Sequence, residues 1–98
     1  MNNIQKYERG DSVTITAVFR DNDGNLITPS NTLYDVRKPD KTYLLSGATI
    51  NAVGTGTYKA DIDMDLDADL GTYTIRVYGT YNGHRILNSE HFAVVDVI

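Results

Sequence analysis

"DADLGTYTIRVYG", residues 67–79, is the stretch on which the fold turns. From Gly71 onward Tyr73, Ile75 and Val77 alternate with Thr72, Thr74 and Arg76, the period-2 pattern of a strand with one dry face and one wet face. Immediately downstream, "YNGH" (81–84) carries Asn82-Gly83, a pair that tolerates the positive φ of a two-residue hairpin turn. The strand through "HRILNSEHFAVVDV" (84–97) therefore folds back antiparallel, with Ile86, Phe92 and Val94 on one face.

Upstream the alternation returns three times. Val13, Ile15, Ala17 and Phe19 share a face in "DSVTITAVFRD" (11–21), Tyr34 and Val36 in "TLYDVRK" (32–38), and Tyr58, Ala60, Ile62 and Met64 in "GTYKADIDM" (56–64). "KPDK" (38–41) places Pro39 and Asp40 in a type I turn, and "DNDGN" (21–25) supplies another break at Asp23-Gly24. The first strand is expected to start near Ile4 and the last to end two or three residues before Ile98. About seven short strands, with no helical spacing, repeat or linker, predict one all-β domain over residues 1–98, an antiparallel sandwich.

No cysteine is present, which excludes disulfides and thiolate metal sites and leaves packing and backbone hydrogen bonds to hold the fold. No apolar run approaches the roughly 18 residues of a membrane span, and the first residues lack the pattern of an export signal. The net charge of -4 comes from 13 acids against 9 bases, and without the five aspartates of residues 61–69 it would be +1. A basic stripe is lacking, which argues against nucleic acid and membrane as partners.

Those five residues, Asp61, Asp63, Asp65, Asp67 and Asp69, occupy every second position. On a strand, Asp61 and Asp63 sit about 6.6 Å apart on the solvent face, too far to share one ion. Beyond the strand, a loop that gathers Asp65, Asp67 and Asp69 would make a weak calcium site. A plain solvated face and loop, with no cofactor, is the competing reading. Asp21, Asp23 and Gly24 imitate an EF-hand, yet its first and twelfth places fall on Phe19 and Ser30, so a strand-to-strand turn fits better.

Enzymatic constellations are missing from the sequence. His84 and His91 fall about 23 Å apart on one strand and point to opposite faces, there is no G-x-S-x-G elbow, and Gly54 and Gly56 precede a strand instead of opening a helix. Arg9-Gly10-Asp11 reads as a bend into a strand. Of seven tyrosines, Tyr34, Tyr58 and Tyr73 are expected in the core or a corner. Tyr7, Tyr43, Tyr78 and Tyr81 are expected to be partly exposed, and the last three are candidate contact residues.

Asp69, Gly71 and Tyr73 at the start of their strand resemble the tyrosine corner of immunoglobulin-like domains, in which the phenol bonds back to the upstream backbone. Ile75 stands where an antibody domain has cysteine, and there is no tryptophan, so the resemblance is to disulfide-free relatives. The order "YERGDSVTITAVFRDNDGNLITP", "VRKPDKT", "GTGTYKADI", "LGTYTIRVYGTYNG" and "HFAVVD" resembles the small immunoglobulin-like β-sandwich proteins among tailed-phage structural proteins. It is also similar to bacterial Ig-like and macroglobulin-type modules. The phage resemblance implies a non-enzymatic virion protein made in the host cytoplasm and multimeric in the particle. A capsid decoration or auxiliary head protein comes first, touching the major capsid protein, and a neck, collar or tail component second. The bacterial resemblance implies instead an adhesive module for host glycan or protein.

Overall fold

The computed structural model describes residues 5–96 as eight strands: β1 Gln5–Glu8, β2 Ser12–Val18, β3 Ser30–Arg37, β4 Tyr43–Thr49, β5 Asn51–Gly54, β6 Thr57–Asp63, β7 Gly71–Tyr81 and β8 His84–Val95. They form a five-stranded sheet ordered β1-β8-β7-β3-β4, facing a three-stranded sheet ordered β2-β6-β5. Ile4, expected near the first strand's start, lies outside the described residues.

Every alternating run becomes a strand with the expected face buried. Val13, Ile15, Ala17, Tyr58, Ala60 and Ile62 line the inner face of the smaller sheet, and Tyr34, Val36, Tyr73, Ile75, Val77, Phe92 and Val94 that of the larger. Ring pairs knit this core: Tyr73 stacks on Phe92 with centroids 5.1 Å apart, and Phe19 meets Tyr58 edge-on at 5.8 Å. At roughly 1.5–3 kcal/mol per fully buried large side chain, the two inner faces supply the main driving force for the sandwich.

The hairpin turns follow their residues. Asn82 and Gly83 both have positive φ (53° and 77°), as a type I′ turn requires, and Tyr81 pairs with His84 across them. Two further turns, at residues 21–25 and 38–42, share one form: the first is closed by Gly24 N–H to Asp21 C=O, the second by Lys41 N–H to Lys38 C=O, and the donor residue itself has positive φ (85° and 75°). In each, the aspartate carboxylate accepts backbone N–H groups inside the turn: Asp21 from Asp23 and Asn25, Asp40 from Thr42.

The expected all-β sandwich of about seven strands holds, with two details that the residues did not announce. There are eight described strands, because β4 and β5 carry little alternation, and the sandwich is not purely antiparallel. Gln5–Glu8 runs parallel to β8, with Gln5 opposite Phe92 and Glu8 opposite Val95. Tyr7 thereby turns inward and meets Phe92 edge-on at 5.8 Å.

Gly56 locks one end of the smaller sheet. Its φ is +64°, its carbonyl accepts the Phe19 N–H, and a Cβ there would lie 2.5 Å from the Ile27 carbonyl oxygen. Gly56→Ala is expected to lower unfolding stability by about 2 kcal/mol or more in urea titrations, combining left-handed strain with a backbone clash.

Candidate functional site

The aspartate stretch divides at the end of β6. Asp61 and Asp63 stand on the wet face of the strand, where they accept hydrogen bonds from the cross-strand hydroxyls of Thr14 (2.7 Å) and Ser12 (3.0 Å). Asp65, Asp67 and Asp69 belong to the loop that leads to β7, beside a shallow groove of about 140 Å³ that Lys38 also lines. That loop is pinned by its backbone: Asp65 C=O accepts from Gly10 and Ala68, Ala68 C=O from Arg9 Nε, and Asp69 C=O from the Tyr73 hydroxyl at 2.8 Å. Among the described residues no three acidic or histidine side chains come together as a metal site requires, so the loop does not gather its three carboxylates on one centre.

The other motifs are absorbed into local structure. Arg9-Gly10-Asp11 is the turn between β1 and β2, with Asp11 N–H donating to Glu8 C=O, and Arg9 reaches Asp96 at 3.9 Å as well as the Ala68 carbonyl. His91 contacts the Thr74 hydroxyl through Nδ1 at 3.2 Å, while His84 sits at the hairpin tip on the opposite face.

The most distinctive surface is the outward face of the five-stranded sheet. The register sets His91, Thr74, Arg37 and Tyr43 in one row, Ser89, Arg76 and Asp35 in the next, Leu87, Tyr78 and Leu33 in a third, and Arg85 with Thr80 beyond. Tyr43 and Leu87 are about half exposed (49% and 54%). The Arg37 guanidinium bonds to the Tyr43 hydroxyl at 2.8 Å and covers its ring at 4.8 Å. Asp35, the acid amid these arginines, is already engaged: it accepts the Gly47 N–H at 2.6 Å, which fixes a bulge in β4, and the Tyr78 hydroxyl at 3.2 Å. Of the candidate contact tyrosines, Tyr43 is exposed, Tyr78 is half-buried by its bond to Asp35, and Tyr81 packs against the core. Sequence reasoning picked out Tyr43 and Tyr78 but missed the arginines beside them, because Arg37 lies on β3, far in the chain from the β7–β8 hairpin that carries Arg76 and Arg85.

No family model and no curated protein matches the chain. Among solved structures it is similar to the filamin domain of Lin-41, with a TM-score of 0.62 and 19% identity over 97% of this chain and 87% of that one. The fold is an immunoglobulin-like β-sandwich. It is also similar to a DUF4785 family protein from Legionella pneumophila, with a TM-score of 0.60 and 15% identity over 93% of this chain but 26% of that one. At these identities the likeness is one of fold.

Tyr73 makes the corner that its sequence context suggested, and Tyr73→Phe should lower stability at neutral pH by about 0.5–1.5 kcal/mol, the net value of one hydrogen bond. Burial raises the phenol pKa of Tyr34, Tyr73 and Tyr78 above the ordinary value of 10.0, assisted by the charges of Asp61, Asp69 and Asp35 respectively. Unfolded phenols therefore lose their protons first. The stability these phenols contribute is fully present below about pH 10 and is lost as pH rises through the folded values, with a shallower slope in Tyr73→Phe, measurable by urea unfolding from neutral to alkaline pH. Millimolar calcium should leave the melting temperature unchanged, because the loop carboxylates do not converge.

Proposed function

We propose that the chain is a non-enzymatic structural protein of a tailed-phage particle, made in the host cytoplasm and carried on the virion as a capsid decoration or auxiliary head protein. The observation that carries a contact role is the outward face of the five-stranded sheet. Tyr43 and Tyr78 offer aromatic area beside the exposed Leu87, and Arg37, Arg76 and Arg85 flank it with planar donors; tyrosine and arginine are among the side chains that dominate protein contacts. The described grooves, of about 140 and about 270 Å³, are shallow beside the roughly 300–1,000 Å³ sites that enclose small molecules, which favours a partner with a surface over a substrate.

The placement on a virion rests on the order of turn and strand motifs across the chain, which resembles small phage sandwich proteins. On a symmetric shell, many modest contacts add by avidity, so an acidic patch on the major capsid protein facing Arg37, Arg76 and Arg85 suffices. A neck, collar or tail position uses the same surface with fewer copies. Quantitative mass spectrometry of purified particles tests the placement. On the order of hundreds of copies, set by shell symmetry, fits the capsid; about six or twelve moves the protein to the neck or tail; absence from particles ends the virion reading. Arg76→Glu should cut occupancy on particles at least about tenfold, equivalent to about 1.4 kcal/mol, with an unchanged melting temperature.

A further inference from the structure

Sheet edges are the part of a β-sandwich that evolution usually guards, because a row of unpaired N–H and C=O groups is a template for another strand. Most edges here are guarded. β1 has four residues and carries Lys6 and Glu8, β5 has four and is irregular between Ala52 and Gly54, and β4 is bent by the bulge at Gly47. The part of β8 that β1 leaves uncovered, before Phe92, carries Arg85, Glu90 and His91. β2 is the exception. Its seven residues, SVTITAV, contain no charge, proline or glycine, and pair with β6 in an unbroken register from Ser12–Asp63 to Val18–Thr57.

The direction of its free groups follows from the ladder. Met64 N–H donates to Asp11 C=O and Phe19 N–H to Gly56 C=O, so the odd-numbered residues from 11 to 19 face β6. The even-numbered ones, Ser12, Thr14, Thr16 and Val18, turn their backbone groups away from it. Two of those groups are closed off inside the chain: Ser12 N–H bonds the Asp11 carboxylate at 3.0 Å, and Val18 C=O accepts from Asn88 Nδ2 at 2.9 Å. Thr14 and Thr16 lie between these stops with no described strand beside them. Along them runs an open groove of about 270 Å³, walled on its far side by Tyr7, Glu90 and Phe92.

We infer that this edge is an interface with a second copy of the chain, formed by antiparallel pairing of β2 with the partner subunit's β2 about a two-fold axis at Ile15. The segment is self-complementary in that register. Thr14 falls opposite the partner's Thr16 and exchanges both backbone bonds with it, while Val18 N–H meets the partner's Ser12 carbonyl at each end. Paired threonines suit the outer face. Each margin brings Asp11 of one subunit to the position next to the partner's Arg20, one acid and one base, and no like charges oppose each other within the contact. The two three-stranded sheets then join into one continuous sheet, β5-β6-β2-β2-β6-β5, and the unguarded edge is gone. This interface is separate from the arginine face and stands without the virion placement.

The test is sedimentation equilibrium of the full chain at sub-millimolar concentration. The expected result is a dimer that persists in high salt, since backbone bonds carry the contact. Thr16→Pro removes an outward N–H that the monomer does not use. The double variant Thr14→Lys, Thr16→Lys sets lysines directly against lysines across the axis. Both should be monomeric with near-parental melting temperatures. Because the chain has no cysteine, register can be read directly: a mixture of Thr14→Cys and Thr16→Cys chains should cross-link faster than either alone. A wild-type chain that stays monomeric, a dimer unaffected by the double lysine variant, a dimer that dissolves in salt, or cross-linking without that register preference would each overturn the inference. The cysteine pair decides the matter if the proline variant fails to fold.

Discussion

The hydroxyl of Tyr73 and the ring that carries it organise one end of this molecule. The ring lies flat on Phe92 in the middle of the core, and the hydroxyl holds the Asp69 carbonyl at 2.8 Å, so the loop before β7 is tied to the interior by a single rigid side chain. The same loop is held from outside by Gly10 N–H and Arg9 Nε. Backbone groups do the holding throughout, which leaves the carboxylates of Asp65, Asp67 and Asp69 in water. Their mutual repulsion is modest there, on the order of 1 kcal/mol per close pair and less in salt.

A net charge of -4 conceals a division between the two sides of the sandwich. The outer face of the smaller sheet pairs Asp61 and Asp63 with threonine and serine hydroxyls, whereas the outer face of the larger one carries Arg37, Arg76 and Arg85 around tyrosine and leucine. One side is hydrated and self-satisfied; the other carries donors and apolar area, among which Arg37 is linked to Tyr43, Tyr78 to Asp35 and Thr74 to His91.

Much of this was legible in the residues, for physical reasons. β2, β6 and β7 have one buried face each, and burial enforces alternation; Asn82-Gly83, Pro39-Asp40 and Asp23-Gly24 announce turns because few other residues accept the required φ or preorganise it. β4 and β5 were silent because they are edge strands, largely exposed, and the bulge at Gly47 breaks the period of the longer one. The parallel pairing of β1 with β8 has no local signature, since its partners lie at opposite ends of the chain. Nor does an arginine face assembled from residues 37, 76 and 85. The corner was visible because its donor and acceptor are only four residues apart.

The parallel pair has a mechanical consequence. Gln5 lies opposite Phe92 and Glu8 opposite Val95, so the entering and leaving ends of the chain depart from opposite ends of this short ladder. Tension applied through those ends pulls the two strands past each other along their length. The bonds between them are then loaded together in shear, where a hairpin pulled at its open end would release them one at a time. A sandwich connected in this way resists being drawn out by its termini until the whole ladder yields at once, a useful property in any assembly that stores or transmits force.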